Sequence, residues 1–336
     1  MSHALRVGVV GAGAIAQVAH LPALVRLRDV RVVGICDNDL SKAHAVASRF
    51  QIPTVYEDIE ELLPEAQPEV VAICTPNHLH DVHVQTALSA GAHVLCERPL
   101  ALSAAGVERI RAASERAGRV VMVGMNHRFR SDVQALRGFL RSGDLGDVVG
   151  VRGGWYMFRP MGPSGSWRQQ RRQAGGGAML DLGISLIDLS LWLTGCPTPR
   201  VVTAVLKPQP SRDEVEEAGC VLIVGDQGLS IFVDVARRYV GDHERFWLEV
   251  MCSKGSASIH PLRIFRELHG SPVNVTPSGA AGREDAFTTS YRSEWAHFLA
   301  IVRGAMPRPD LADQVLLHQT LEAVYQSAGQ GRDATL

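Results

Sequence analysis

The sequence is short of several things, and each shortage excludes a class of protein. Aromatic residues make up 6% of its 336 positions, and cysteines number six. Those cysteines, at 36, 74, 96, 196, 220 and 252, form no CxxC pair and no metal-ligand spacing. They are expected to be reduced, mostly buried thiols, and no metal is expected. No apolar run approaches the ~20 residues of a membrane span. The first residues enter a strand directly, without the charged start and apolar stretch of a signal peptide. The expectation is a cytoplasmic protein with no membrane partner. A formal net charge of −1 lacks the basic footprint of a nucleic-acid binder. There is no repeat and no low-complexity tract. What is present, 46% hydrophobic and 21% charged residues, suffices for two domains with cores of their own.

The most informative stretch is the first. Leu5 to Val10 is an apolar, valine-rich strand that stops at Gly11-Ala12-Gly13-Ala14-Ile15-Ala16, and a helical pattern then runs to about Arg28. A second strand, Val30 to Cys36, ends in Asp37. Strand, glycine turn, helix, strand and acid is the dinucleotide-binding order, in which glycines let the backbone approach a pyrophosphate. The phosphates would rest on N–H groups at the helix N-terminus, around Gly13, Ala14 and Ile15. Ala16 stands in for a third glycine. Asp37 falls where a carboxylate should meet the adenosine ribose hydroxyls. It would repel a 2′-phosphate, and Asn38 and Asp39 supply no basic neighbour, so NAD is favoured over NADP.

Strands and helices alternate to about residue 125: helices from Ser41 to Phe50, from Ile59 to Leu63 (capped by Asp58, stopped by Pro64), up to Ala90, and from Ser103 to Ala117. Strands lie at Val70–Cys74, His93–Cys96 and Val120–Val123. This argues for a parallel, doubly wound sheet. Ligands of such sheets bind beyond the strands' carboxyl ends, which here carry Gly11, Asp37, Thr75, Glu97 and Asn126. After a long strand at Val148–Met157 comes a loop, Phe158 to Gly177, rich in glycine, proline and arginine. An apolar helix, Ala178 to Leu193, precedes strands at 200–206, 218–224, 229–236, 246–252 and 257–260 that should be mostly antiparallel. Two helices, about 290–304 and 311–328, close the chain. The fold class is α/β: an N-terminal Rossmann domain over 1–125, and a substrate-binding and oligomerisation domain over 126–336 with an open, mainly antiparallel sheet. The strands at 218–224 and 229–236 have too few helices after them to cover both faces. A homodimer or homotetramer is therefore expected.

Gly175-Gly176-Gly177 precedes a helix carrying Asp181, Ser185 and Asp188 on one face. Arg159, Arg168, Arg171 and Arg172 lie near Trp155, Tyr156 and Trp167. Guanidinium forks suit a carboxylate or phosphate, and aromatic rings suit a sugar face.

Taken in order, GAGAIA at 11–16, TPNHLH at 75–80, ERP at 97–99, NHRF at 126–129, WR at 167–168 and GGGAMLDLGISLID at 175–188 resemble the Gfo/Idh/MocA family of NAD(P)-dependent oxidoreductases. The resemblance spans essentially the whole chain. It implies reversible hydride transfer between a sugar or polyol carbon and nicotinamide, with a small sugar-like substrate. It also implies that Thr75, Pro76, Asn77, His80, Glu97, Arg98, Asn126, Trp167 and Arg168 lie about the cofactor, and His127, Arg128, Tyr156, Arg168, Asp181 and Ser185 about the substrate. Two positions depart from the family pattern. Arg98 stands where the family has lysine, and Ser185 where it has histidine. Arginine stays protonated, and serine is no base at neutral pH without a partner. Arg98 can still polarise a substrate oxygen and Ser185 can still hydrogen-bond it. Asp181, a water, His80, His127 or Tyr156 remain candidates for the proton. The expected activity is an NAD-dependent dehydrogenase with Arg98, Asp181 and Ser185 in the catalytic positions. The alternatives are an NAD-binding sensor without turnover, and an NAD-assisted lyase or glycosidase without net redox change.

Overall fold

The computed structural model describes residues 4–158, 166–208, 213–278 and 285–336, in two compact units. In the first, strands β1 (Leu5–Val10), β2 (Val30–Cys36), β3 (Val55–Tyr56), β4 (Val70–Ile73), β5 (His93–Glu97) and β6 (Val121–Gly124) form a parallel sheet in the order β3-β2-β1-β4-β5-β6. The reversal of strand order beside β1 is the topological switch point of a doubly wound sheet. Helices α1 (Leu21–Leu24), α2 (Leu40–Phe50), α3 (Ile59–Ala66), α4 (His80–Ser89) and α5 (Ala104–Ala117) connect the strands. α2 begins one residue before the expected Ser41 and is capped by Asp39, which accepts from Lys42 N at 3.0 Å. Asp58 caps α3 as expected. Pro64 lies inside α3 instead of ending it; the carbonyl it leaves unpaired, four residues back, belongs to exposed Glu60.

The expected cut at 125 is corrected by α9 (Ala286–Val302). The first unit comprises Met1–Phe129 together with Glu284–Ala312. The reason is apolar: Trp295, Phe298, Leu299 and Ile301 of α9 are buried in one core with Val7, Val9, Leu21 and Leu24.

The second unit comprises Arg130–Arg283 and Asp313–Leu336. Its sheet has strands β7 (Val148–Tyr156), β8 (Pro199–Lys207), β9 (Ala218–Gly225), β10 (Ser230–Ala236), β11 (Arg245–Cys252), β12 (Gly255–Ile259), β13 (Arg263–Leu268) and β14 (Ser271–Asn274), in the order β14-β13-β12-β11-β7-β10-β9-β8. All pairs are antiparallel except β7 with β10. Helices α6 (Ser131–Ser142), α7 (Arg171–Ala174), α8 (Ile184–Leu193) and α10 (Ala312–Gln330) complete it. The stretch Arg171–Leu193 is long and apolar enough to cross a membrane, but 89% of its apolar 18-residue window is buried inside the fold. It is a core element.

Candidate functional site

In the first unit the glycine turn is built by close approach. Gly11 has φ +98°, and a Cβ there would stand 2.8 Å from the Cys74 carbonyl group at the end of β4. Both facts require glycine. A Cβ on Gly13 would meet nothing closer than 3.9 Å, so this position is open to a ligand. Ala16 is fully buried, packed where a third glycine would sit. The helix starts at Ala14 and widens into a π-type turn over Ala16–His20. Asp37 accepts from Ala12 N at 2.8 Å and from Asp39 N at 2.9 Å, and Lys42 Nζ lies 2.8 Å away. The acid is thus locked to the glycine turn. Glycine cradle, helix start and fixed acid together have the form of a dinucleotide site.

Further along the same strand ends, Thr75 accepts or donates a hydrogen bond with His83 Nδ1 at 3.1 Å. Pro76 and Asn77 lead into the short turn Asn77–Leu79 before α4. His80 is 1% exposed, and both its ring nitrogens face backbone carbonyls. Glu97, at the end of β5, receives His20 Nε2 at 2.8 Å and the Tyr291 hydroxyl at 3.2 Å on one oxygen. The Trp295 indole N–H donates to His20 Nδ1 at 3.1 Å. Burial alone would raise the Glu97 pKa, but the His20 hydrogen bond, with Arg98 and His80, brings it below the usual value. For His20, burial works against charge while Cys74 and Glu97 raise its pKa well above normal. The indole donor at Nδ1 opposes a second ring proton there. Half-buried Arg98 therefore follows a carboxylate fixed by His20 and Tyr291 of the same unit, with Trp295 holding His20 in turn. Asn126 donates to Ser290 Oγ at 3.1 Å, and His127 and Arg128 are half-buried on the same turn, Asn126–Phe129.

In the second unit, Gly176 and Gly177 are required by packing. A Cβ on Gly176 would collide with the Tyr325 hydroxyl, and one on Gly177 with the Glu216 backbone. Glu216, fully buried, accepts from Met179 N at 3.0 Å and from Tyr325 at 2.8 Å. The helix then opens as a π-type turn, Met179–Gly183, before α8. Such turns occur often at functional sites. Asp181 lies on this turn and Ser185 at the start of α8; the Ser185 hydroxyl is buried with no hydrogen-bond partner among the described residues. Asp188 is fixed by Gln314 from α10. Arg237, 3% exposed, has Nε 4.0 Å from Asp181 Oδ2, and its guanidinium reaches the Arg168 carbonyl at 3.4 Å. Trp167 and Arg168 form a stacked pair at 4.4 Å. This unit therefore brings Arg168, Asp181 and Ser185 into one neighbourhood. Tyr156 is not in it. A Cβ on Gly153 of β7 would touch Leu186 of α8, so the strand's alternation puts Tyr156 on the opposite sheet face, where it donates to Asp234 at 2.6 Å. Arg159 lies outside the described residues. Arg98 belongs to the first unit, Asp181 and Ser185 to the second.

Comparison with known proteins decides the family. Residues 5–125 match the model described as an oxidoreductase family with an NAD-binding Rossmann fold, and residues 133–258 match the GFO/IDH/MocA C-terminal domain. The chain belongs to the GFO/IDH/MocA oxidoreductase family. It is accordingly an oxidoreductase with NAD as cofactor. Among relatives, D-glucoside 3-dehydrogenase of Escherichia coli K12 is 32% identical over 98% of this chain and 97% of its own. D-xylose 1-dehydrogenase (NADP(+)) 2 of Haloferax volcanii is 28% identical over 96% of this chain and 97% of its own. Of solved structures, GenD2 from gentamicin A biosynthesis, in complex with NAD, aligns with TM-score 0.86 and 26% identity, covering 100% of this chain and 97% of that one. Levoglucosan dehydrogenase with NADH and levoglucosan shares the fold at TM-score 0.87 and 23% identity, over 99% of each chain.

Several site residues of this GFO/IDH/MocA protein are not apparent from motifs. Lys42 reaches Asp37 from five positions on, one turn into α2, beyond the immediate neighbours that sequence reading weighs. Arg237 follows a strand with no motif around it. His20 and Tyr291 converge on Glu97, and Trp295 on His20, from segments some 270 residues apart in the chain.

Proposed function

We propose that this protein is an NAD-dependent dehydrogenase of a sugar, a glycoside or a related polyol, working with Arg98 and Ser185 in place of the family's lysine and histidine. The full-length likeness to D-glucoside 3-dehydrogenase carries the substrate class. Bound NAD supplies the hydride acceptor. Arg98 offers a permanent positive charge to the substrate oxygen as it gains negative charge, which stabilises a developing alkoxide without needing to titrate. Ser185 donates or accepts one hydrogen bond to a substrate hydroxyl, in keeping with its unsatisfied Oγ. Asp181 or a bound water receives the hydroxyl proton. Arg168, beside Trp167, suits a sugar face or an anionic substituent on it. We also infer that a second copy of the chain covers the outer face of the second unit's sheet.

The test is steady-state turnover, followed by nicotinamide absorbance, of the unaltered protein, Arg98→Lys, Ser185→His and the double variant on a panel of glycosides and polyols. An unaltered protein that turns over and is impaired by restoration supports the reading. In that case Arg98→Ala should lose roughly 10²–10³-fold in kcat, the scale of a lost oxyanion donor, and Ser185→Ala less. A silent protein awakened by the double variant alone overturns it in favour of a binding protein. Product formation without net nicotinamide change overturns it in favour of a lyase or glycosidase.

A further inference from the structure

His80 makes two hydrogen-bond contacts that one neutral imidazole cannot make. Its Nδ1 stands 2.7 Å from the carbonyl oxygen of Pro99, and its Nε2 stands 2.8 Å from the carbonyl oxygen of Thr75. A backbone carbonyl accepts and never donates, and a neutral ring carries a single N–H. With one proton, one of the two contacts would set lone pair against lone pair inside the fold. Turning the ring over does not help, because ring carbons would then meet both oxygens at distances too short for them. Both nitrogens donate only when the ring is an imidazolium.

The two carbonyls are not arbitrary. Thr75 follows β4 and opens the Thr75-Pro76-Asn77 turn, while Pro99 comes directly after Arg98 at the end of β5. β4 and β5 are neighbours, with Ile73 opposite Cys96. His80, the first residue of α4, therefore ties together two adjacent strand ends at the edge of the sheet where dinucleotides bind. We propose that His80 is a buried imidazolium and a positioning residue: by holding both carbonyls at once, it fixes the cofactor-side turn at Thr75 and the segment that presents Arg98.

The charged groups around it set the balance. Burial, with His78, brings the ring below its usual pKa against the two carbonyls and Glu97 on β5, which favour the charge. Two carbonyl acceptors at 2.7 and 2.8 Å are nonetheless satisfied together only by the doubly protonated ring, and that geometry carries the assignment. His83, one turn further along α4, is pushed down to about 4 by burial and by His80 and His78, so it is neutral at neutral pH and adds no like charge there. Asp81, next to His80, is paired with Arg109 of α5. Arg98 lies on the segment that His80 holds. An uncapped helix start is a poor place for a cation, so the charge is retained for the two acceptors and not for the helix.

The inference rests on the reading of Arg98 as part of the reaction site, but its first test needs no turnover. In the full chain with 15N-labelled histidine, ring nitrogen–proton correlation spectra at neutral pH should show both His80 nitrogens protonated. Assignment comes from loss of the signals in His80→Asn or, if that variant fails to fold, from through-space contacts of the ring to Pro99 and Thr75. A single protonated nitrogen overturns the proposal. The second test is NAD affinity by calorimetry across the pH range in which that ring titrates. Affinity should fall roughly three- to tenfold as the ring loses its second proton, as expected for one lost buried hydrogen bond. His80→Asn should lack that step. Affinity that stays flat while the ring titrates overturns the positioning role. If both tests succeed while Arg98→Ala turns over normally, the dehydrogenase assignment of Arg98 fails and the clamp stands.

Discussion

Glu294 of α9 is fully buried, and neither carboxyl oxygen has a hydrogen-bond partner among the described residues. Burial, reinforced by the charge of Glu97, raises its pKa well above the usual carboxylate range. The folded protein thus holds this proton more tightly than the unfolded chain does. The stability it contributes is complete below the unfolded value of about 4.3 and is lost as pH rises through the folded pKa. Glu294→Gln keeps the shape and removes the ionisation. In urea melts the variant should gain on the unaltered protein by about 1–3 kcal/mol as pH rises from the unfolded value of about 4.3 into the alkaline range; melts that stay parallel over the whole range would refute the assignment. Asp37 is the residue we propose to set cofactor choice. Its carboxylate is shared among Ala12 N, Asp39 N and Lys42, so Lys42 softens the repulsion toward a 2′-phosphate. Asp37→Ala should weaken NAD by roughly 10–100-fold, the scale of hydrogen bonds to a charged group, and relax the preference over NADP. Lys42→Ala should sharpen that preference. Calorimetry with both cofactors checks the pair, and equal affinities in the unaltered protein would refute it.

At the scale of elements, the turn from the glycine run into α8 is the most constrained piece of the second unit. Gly177→Ala would drive a methyl group into the Glu216 backbone. It should cost about 1–3 kcal/mol, the usual toll of overpacking, measured as a lower midpoint in denaturant. Gly13→Ala, where the space is open, should fold normally and weaken NAD instead. Which elements were legible follows from the same physics. The β1 turn and Asp37 could be read because glycine, apolar run and acid each have one structural meaning there. β13 and β14 escaped because their side chains are almost all exposed, leaving no apolar alternation to read. α6 has buried only Val133 and Leu136. The parallel pairing of β7 with β10 depends on contacts some 80 residues apart, which no local pattern encodes. The family resemblance implies Tyr156 beside the substrate, whereas period-two alternation along β7 puts its side chain on the sheet face away from α8, a placement that no motif encodes.

For the whole molecule, the outer face of the second sheet matters most. Val205 and Leu222 are 53% and 38% exposed there, and Met251 37%. Half-buried Phe232 stands beside Leu222 in the register. Those apolar side chains in water are a standing cost that the proposed second copy would remove at both surfaces. Light scattering at micromolar concentration should report a dimer or tetramer, and Leu222→Asp should shift it toward monomer; a monomeric unaltered protein would refute the interface.

The return of α9 to the first unit has a consequence on the ribosome. The core that receives Trp295 and Phe298 is begun by the first strands, but those two side chains emerge only after the whole first segment of the second unit has been translated. At about 5–20 residues per second, the nascent Rossmann sheet waits roughly 10–35 s with that part of its core unfilled. Through that interval it presents apolar surface to the cell, and the second unit is made in the presence of an unfinished neighbour. Synthesis order and folding order are therefore separated in this chain, and chaperone demand should peak between the two appearances of the first unit.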